Sequence, residues 1–209
     1  MYIHKLNRET DLGKIVEFLR RNEFATLVAY DGEKPVASHL LMELVEEGEN
    51  LFVNGHMSKA NPLWKTLDRE RDVLLIFMGP HTYISPTWYN HINVPTWNYQ
   101  SVHLYGKPRV ISDPKETYPM LQRLVAKYES ATSYRLEALP PDFVEKEMKG
   151  IVAFQVEVTR IEANYKLSQN RDDENHRSIV AHLEERSDDF SHAVAQAMGQ
   201  KRSELTSRS

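Results

Sequence analysis

Apolar residues change their period along this chain, and each change marks an element. Leu12, Ile15, Val16, Phe18 and Leu19 fall at helical spacing, which predicts a short amphipathic helix over 12–21. Alternation then takes over. ATLVAYD (25–31) and PVASHLLMEL (35–44) read as strands joined by a turn at Asp31-Gly32-Glu33-Lys34. A second turn over 45–50 leads into LFVNG (51–55), and three strands on short connections predict an antiparallel meander. Residues 61–69 predict a helix with Pro62 in its first turn. DVLLIFMG (72–79) is almost wholly apolar, which predicts a strand buried on both faces.

Further on, Asp113-Pro114-Lys115-Glu116 is a helix start: Asp caps, Pro fits the first position, and Glu can reach back to the cap. The helix should run to about Tyr128. Asp142 and Glu145 repeat the capping pattern before a shorter helix. In IVAFQVEVTRI (151–161), Val152, Phe154, Val156 and Val158 face one way and Gln155, Glu157 and Thr159 the other, as in a half-buried strand. After KLSQNR (166–171) the composition shifts to charged and small residues. Helices are expected over 173–186 and 188–199, with a frayed tail QKRSELTSRS. This divides the chain into a main domain, 1–171, and a helical appendage with tail, 172–209. Short antiparallel strands with late helices predict a mainly β fold, a closed or split antiparallel β-barrel with peripheral helices. Strands and helices do not alternate regularly, and neither GxGxxG nor a P-loop pattern occurs, which disfavours a doubly wound parallel sheet.

The chain of 209 residues has an ordinary apolar and charged content and a net charge of -4, so it offers nucleic acid no general attraction. No run approaches a membrane span, and MYIHKLNRETD lacks a hydrophobic signal core. The absence of cysteine excludes disulfides, thiol catalysis and cysteine metal sites, and suits a reducing, cytoplasmic setting.

Chemistry concentrates in two places. Residues 81–106, HTYISPTWYNHINVPTWNYQSVHLYG, hold six aromatics, three histidines and two prolines. Rings mixed with hydrogen-bonding tips suit a flat, polar-edged ligand or an interface; the other reading is two strands and a packed loop whose rings fill a core. The second place is Asn54-Gly55-His56-Met57-Ser58-Lys59-Ala60-Asn61-Pro62, between a strand and a helix. Backbone N–H groups, a hydroxyl and an ammonium there can hold a phosphate, or Ser58 or Asn61 simply caps the helix. His81, His91 and His103 lack metal-ligand spacing, so no metal site is expected. Ser85 has no nucleophile-elbow glycines around it. Lys166, Gln169 and Arg171 can contact a ligand edge or a partner subunit, or line a solvated loop.

HTYISPTWY, VPTWNYQSVHLYG and KLSQNR, in that order, resemble the signature segments of the PaiB family of FMN-binding negative transcriptional regulators, and the resemblance spans nearly the whole chain. It implies a split-barrel flavin-binding fold like that of pyridoxamine-phosphate oxidases, usually a homodimer with FMN in clefts between subunits. It also implies a role in repressing sporulation and extracellular protease genes, acting on DNA directly or through a partner. By resemblance, His39, Leu40 and Leu41 would run along the isoalloxazine edge. Ser58 and Lys59 would hold the phosphate, flanked by Asn54 and His56. Gln100 and Trp97 would meet the ring system, and Lys166, Gln169 and Arg171 would lie near the cofactor. The usual paired basic residues are here Lys59-Ala60, which implies weaker phosphate affinity. The other reading on the same fold is an FMN-dependent oxidoreductase or a haem-handling protein, with His81, His91 or His176 as axial ligand.

Overall fold

The computed structural model describes residues 1–67 and 71–206. Its strands are β1 (Arg8–Glu9), β2 (Phe24–Tyr30), β3 (Pro35–Glu47), β4 (Asn50–Ser58), β5 (Val73–Ile84), β6 (Thr96–Ile111) and β7 (Ile151–Lys166). The helices are α1 (Leu12–Arg21), α2 (Pro114–Tyr128), α3 (Pro141–Lys149), α4 (Asp173–Glu184) and α5 (Asp189–Thr206). The strands form one sheet in the order β1-β7-β4-β3-β2-β5-β6, with a further β7–β6 pairing. Every pairing with an assigned register is antiparallel.

The expected meander is β2-β3-β4. Its two turns rest on Gly32 (φ 103°) and Gly48 (φ 63°), a backbone region that side chains with a Cβ avoid. β3 and β4 run further than their apolar cores suggest. β3 continues through Glu47 because its ladder to β4 extends to the Glu47–Asn50 pair. The helix expected over 61–69 is a 3-10 turn, Pro62–Thr66, capped by the Asn61 side chain; positions 68 and 69 lie outside the described residues.

Three expectations need correction. The strand over 72–79 is not buried on both faces: Val73, Leu75 and Phe77 are, but Leu74 and Ile76 are half-buried and Met78 is exposed. Asp142 does not cap α3. Pro140 holds the cap position without a side-chain bond, and Asp142 sits inside the first turn, where its charge suits the helix dipole. The tail is helical through Thr206 rather than frayed from 200. Lys201 reaches Glu9 at 2.7 Å and Arg202 reaches Asp173 at 2.8 Å, which tie down that last stretch. By contrast, Asp113 caps α2 as expected, accepting from the Lys115 N–H at 2.8 Å.

The chain makes two compact units, and β5, β6 and β7 each run from one into the other. The first unit gathers Met1–Phe18, Met78–Val102 and the chain from Glu162 onward. Ile84, Val102, Leu167, Ile179, Leu183 and Met198 form its core. The second comprises Leu19–Phe77 and His103–Ile161, with Leu27, Met42, Val53, Leu75, Phe77 and Phe154 fully enclosed. Each such side chain contributes about 1.5–3 kcal/mol by leaving water. Among the described residues no helix is long and apolar enough to cross a membrane.

Candidate cofactor site

Seven of the twelve expected cofactor residues belong to the second unit, on β3, β4 and the loop that follows. In the β2–β3 ladder, His39 is opposite Thr26 and Leu41 opposite Phe24; in β4–β7, Asn54 is opposite Gln155, His56 opposite Ala153 and Ser58 opposite Ile151. Strand alternation therefore places His39 and Leu41 on one face of β3 and Leu40 on the other. His39 is exposed, and Leu40 and Leu41 are half-buried. The His39 Nδ1 is 2.9 Å from the Thr26 hydroxyl, and its ring lies 6.3 Å from that of the exposed Phe24.

The loop after β4 is fixed by its own backbone. Lys59 donates its N–H to the Gly150 carbonyl at 2.8 Å, and its carbonyl accepts from the Trp64 indole at 3.1 Å. Asn61 accepts from the Leu63 N–H at 3.1 Å and donates to the Ser38 hydroxyl at 2.8 Å, which ties the loop to β3 one residue from His39. Ser58 accepts from the Ala60 N–H at 3.3 Å. The side chains of Ser58 and Lys59 are exposed. Among the described residues the Lys59 ammonium has no ion-pair or hydrogen-bond partner. A hydroxyl and an unpaired cation on a pinned backbone are a donor set that fits a phosphate oxyanion.

Asn54 is already engaged. It accepts from Gln155 at 3.0 Å and sits 3.5 Å from the Glu43 carboxylate. Gln155 in turn accepts from Arg109 at 3.0 Å, and Arg109 reaches Glu116 at 2.9 Å. Arg123 closes the far end with two bonds to Glu43, at 2.8 and 2.9 Å. Glu116 and Arg123 both belong to α2, so this polar ladder binds α2 to β6, β7, β4 and β3. His56 is half-buried on the same face of β4, and burial pushes its imidazole below the ordinary 6.5. It is neutral at physiological pH, a hydrogen-bonding group without charge.

The other five belong to the first unit. Trp97 is half-exposed, with the rings of His81 and Tyr83 centred 5.8 and 6.5 Å away. Gln100 is half-buried on the same strand. Lys166, Gln169 and Arg171 surround a turn at Ser168, which has φ 58°. Asn98 donates to the Ser168 hydroxyl at 2.9 Å and Lys166 donates to the Thr96 hydroxyl, so the turn lies alongside β6. Burial, then repulsion from Arg171, holds the Lys166 ammonium below its ordinary value. Gln169 braces its own turn, accepting from the Leu167 N–H at 2.8 Å and donating to the Tyr165 carbonyl. Arg171 lies over the Tyr89 ring at 4.9 Å, and its buried Nε, which has no acceptor among the described residues, is a donor that suits an electron-rich ligand edge.

Of the histidines considered as haem ligands, His81 packs against Phe190 with ring centroids 5.1 Å apart, His91 is exposed beside Asn90, and His176 is buried. Gly150, Trp64 and Gln155 went unnoticed in the sequence. Trp64, two residues after Pro62, was the one visible signal, a large ring beside the proposed phosphate loop.

Residues 1–160 match the family model described as "Putative FMN-binding domain". The chain belongs to this FMN-binding family. Its PaiB character is equally plain: it is 37% identical over 203 residues to the protease synthase and sporulation protein PAI 2 of Bacillus subtilis (strain 168), covering 96% of this chain and 98% of that protein. An uncharacterised protein of Saccharomyces cerevisiae is 31% identical over 126 residues, 54% of this chain and 74% of its own. Among solved structures, the flavocytochrome Anf3 of Azotobacter vinelandii superposes with a TM-score of 0.58 at 18% identity, over 84% of this chain and 78% of that one. The FAD and heme binding protein of Mycobacterium smegmatis gives 0.57 at 16% identity, over 77% and 73%. These likenesses establish the fold: an antiparallel barrel sheet with peripheral helices, as its alternating strands predict.

Proposed function

We propose that this chain is an FMN-binding negative regulator of gene expression of the PaiB type, acting on sporulation and extracellular protease genes. Near full-length identity to the Bacillus protein supports the biological role. The observation that carries the cofactor assignment is Lys59, whose backbone is fixed on both sides while its ammonium has no partner among the described residues. Ser58 and Lys59 hold the phosphate, and the absent second cation of the Lys59-Ala60 pair makes that hold weaker. His39, Leu40 and Leu41 run beside the ring system, with His56 as a neutral donor. By resemblance to the family, Trp97, Gln100, Lys166 and Arg171 are further flavin contacts, and Gln169 shapes the turn that carries Lys166 and Arg171. Bound FMN supplies electron-transfer chemistry.

The working form is a cytoplasmic homodimer. Its support is exposed apolar surface: Phe24 is 70% exposed in one unit, and in the other Ile92 is fully and Trp97 half exposed. It reaches DNA directly or through a partner. Purified protein should carry flavin absorption, or acquire it on adding FMN. A gel shift on its own promoter region at two salt concentrations tests direct contact, because phosphate-mediated binding weakens with salt. Colourless protein that ignores added FMN would sink the cofactor assignment. Absence of any salt-sensitive shift would leave the indirect route.

A further inference from the structure

The second unit contains a cavity of about 980 Å³ that none of the cofactor residues except Lys59 lines. Its size is at the upper end of the about 300–1,000 Å³ typical of small-molecule sites. The floor is sheet: Ile111 is buried there, and Ala153, packed with Ile111 and Met120, supplies a short side chain that leaves room above it. The walls are α2, the turn at Leu136–Ala138 and α3, through Thr117, Leu136, Val144 and Met148. Aliphatic side chains thus surround most of the space. A thioether at Met148 adds an adaptable surface.

Charge is confined to the edge, where Lys59, Lys115, Lys149, Glu137 and Glu145 line the cavity. The charges do not cancel. Lys149 is paired with Glu145 at 2.7 Å, and Glu137 accepts from Gln122. Lys59 and Lys115 have no such carboxylate among the described residues. Gln122 is uncharged, so Glu137 keeps its charge and three lysines face two glutamates. The result is a largely aliphatic chamber with one net positive charge and an unpaired Lys115 at its edge, complementary to a long apolar molecule with one anionic end. Aliphatic residues outnumber the two aromatic ones, Trp64 and Tyr118, which favours a flexible chain over a flat ring.

We infer that this cavity binds a medium-chain carboxylic acid, with the chain over Ile111 and Ala153 and the carboxylate at Lys115. The site is separate from the flavin's ring-binding residues and meets the proposed cofactor site at Lys59 alone. Ligand binding there would press on the same loop that presents Ser58, so the cavity is suited to report a metabolite to the flavin.

Isothermal titration of the full-length protein with dodecanoate, below its micelle concentration, tests this. We expect one molecule bound per chain, and binding of the neutral dodecanol about tenfold weaker. Trp64 lines the same cavity, so its fluorescence should change on titration, and Trp64→Phe should remove that change. Met148→Trp, which fills the chamber from a half-buried position, should abolish dodecanoate binding and leave FMN binding intact. Lys115→Gln should weaken dodecanoate about two- to fivefold with FMN affinity unchanged. No binding, or binding indifferent to Met148→Trp, would overturn the inference, as would dodecanol equal to dodecanoate. Competition by FMN would also overturn it, by giving the chamber to the flavin. FMN titration of the same samples reads the cofactor assignment independently of these outcomes.

Discussion

Gly106 lies directly beneath the Glu157 carbonyl: a Cβ at position 106 would come within 2.1 Å of that oxygen. The neighbour is backbone, and no rotamer change can relieve the clash. β6 and β7 approach this closely only because residue 106 has no side chain. Gly106→Ala should therefore destabilise the protein by about 3 kcal/mol, the cost of forcing backbone apart in a packed region. Urea unfolding of the purified variant measures it, and a loss below about 0.5 kcal/mol would contradict the geometry.

Gln155 is the middle rung of the ladder that runs from Arg109 to Asn54. Gln155→Leu leaves a buried Asn54 oxygen and the Arg109 Nε without this partner. The expected cost is about 1–3 kcal/mol, because an unsatisfied buried group loses its water without replacement. Chemical denaturation should show the loss, with α2 exchanging its amide hydrogens faster than in the parent.

Lys59→Ala should weaken FMN binding by about 1–3 kcal/mol, the range for a charge-assisted hydrogen bond. Stability should hardly change, since the ammonium is exposed and only the backbone of Lys59 is used by the fold. Quenching of FMN fluorescence on titration gives the affinity. An unaltered dissociation constant would move the phosphate elsewhere.

His56 makes stability depend on mild acid. Burial lowers its folded value below 6.5, so the unfolded chain takes up the proton first. The stability it contributes is complete above the unfolded value and is lost as pH falls through the folded one. His176 is shifted in the same direction by burial and Arg202 and adds to the slope. Urea midpoints at about pH 7.5 and 5.5 should fall for the parent and fall less for His56→Gln. Equal falls would remove His56 from the account.

Asp172 organises the segment around Asn90. It caps α4 by accepting from the Asn175 N–H at 2.9 Å and also holds the Asn175 amide at 2.8 Å. Asn175 then accepts from the Asn90 N–H at 3.0 Å. Asp172→Ala should cost about 1 kcal/mol as a lost cap. Hydrogen exchange should show loosening at residues 89–91 as well as in the first turn of α4.

Local chemistry was readable from the sequence wherever partners are neighbours. The Asp113 cap, the glycine turns and the helical spacing of α1 need only a few adjacent residues, and each is present. The ladder through Asn54 was not readable, because Gln155 lies 101 positions away and its amide looks like an ordinary solvent-facing group. The same reason explains Gln169. Its side chain resembles a ligand contact in isolation, and only the fold reveals that it bonds the backbone of Tyr165 and Leu167. Met78 misled in the opposite sense, since an apolar run carries no mark of which face the chain itself will cover.

The course of β5, β6 and β7 through both units has a consequence for synthesis. The first unit draws on the chain's beginning, its middle and its end. Arg8 and Glu9 find their ladder partners only when Asn164 and Ala163 have left the ribosome. The second unit needs the chain through Ile161, the first cannot be completed by any shorter N-terminal fragment, and neither can be cut out as one continuous piece. Folding must wait for almost the entire polypeptide, and long loops must close before their contacts stabilise anything, so this protein belongs among the slow folders.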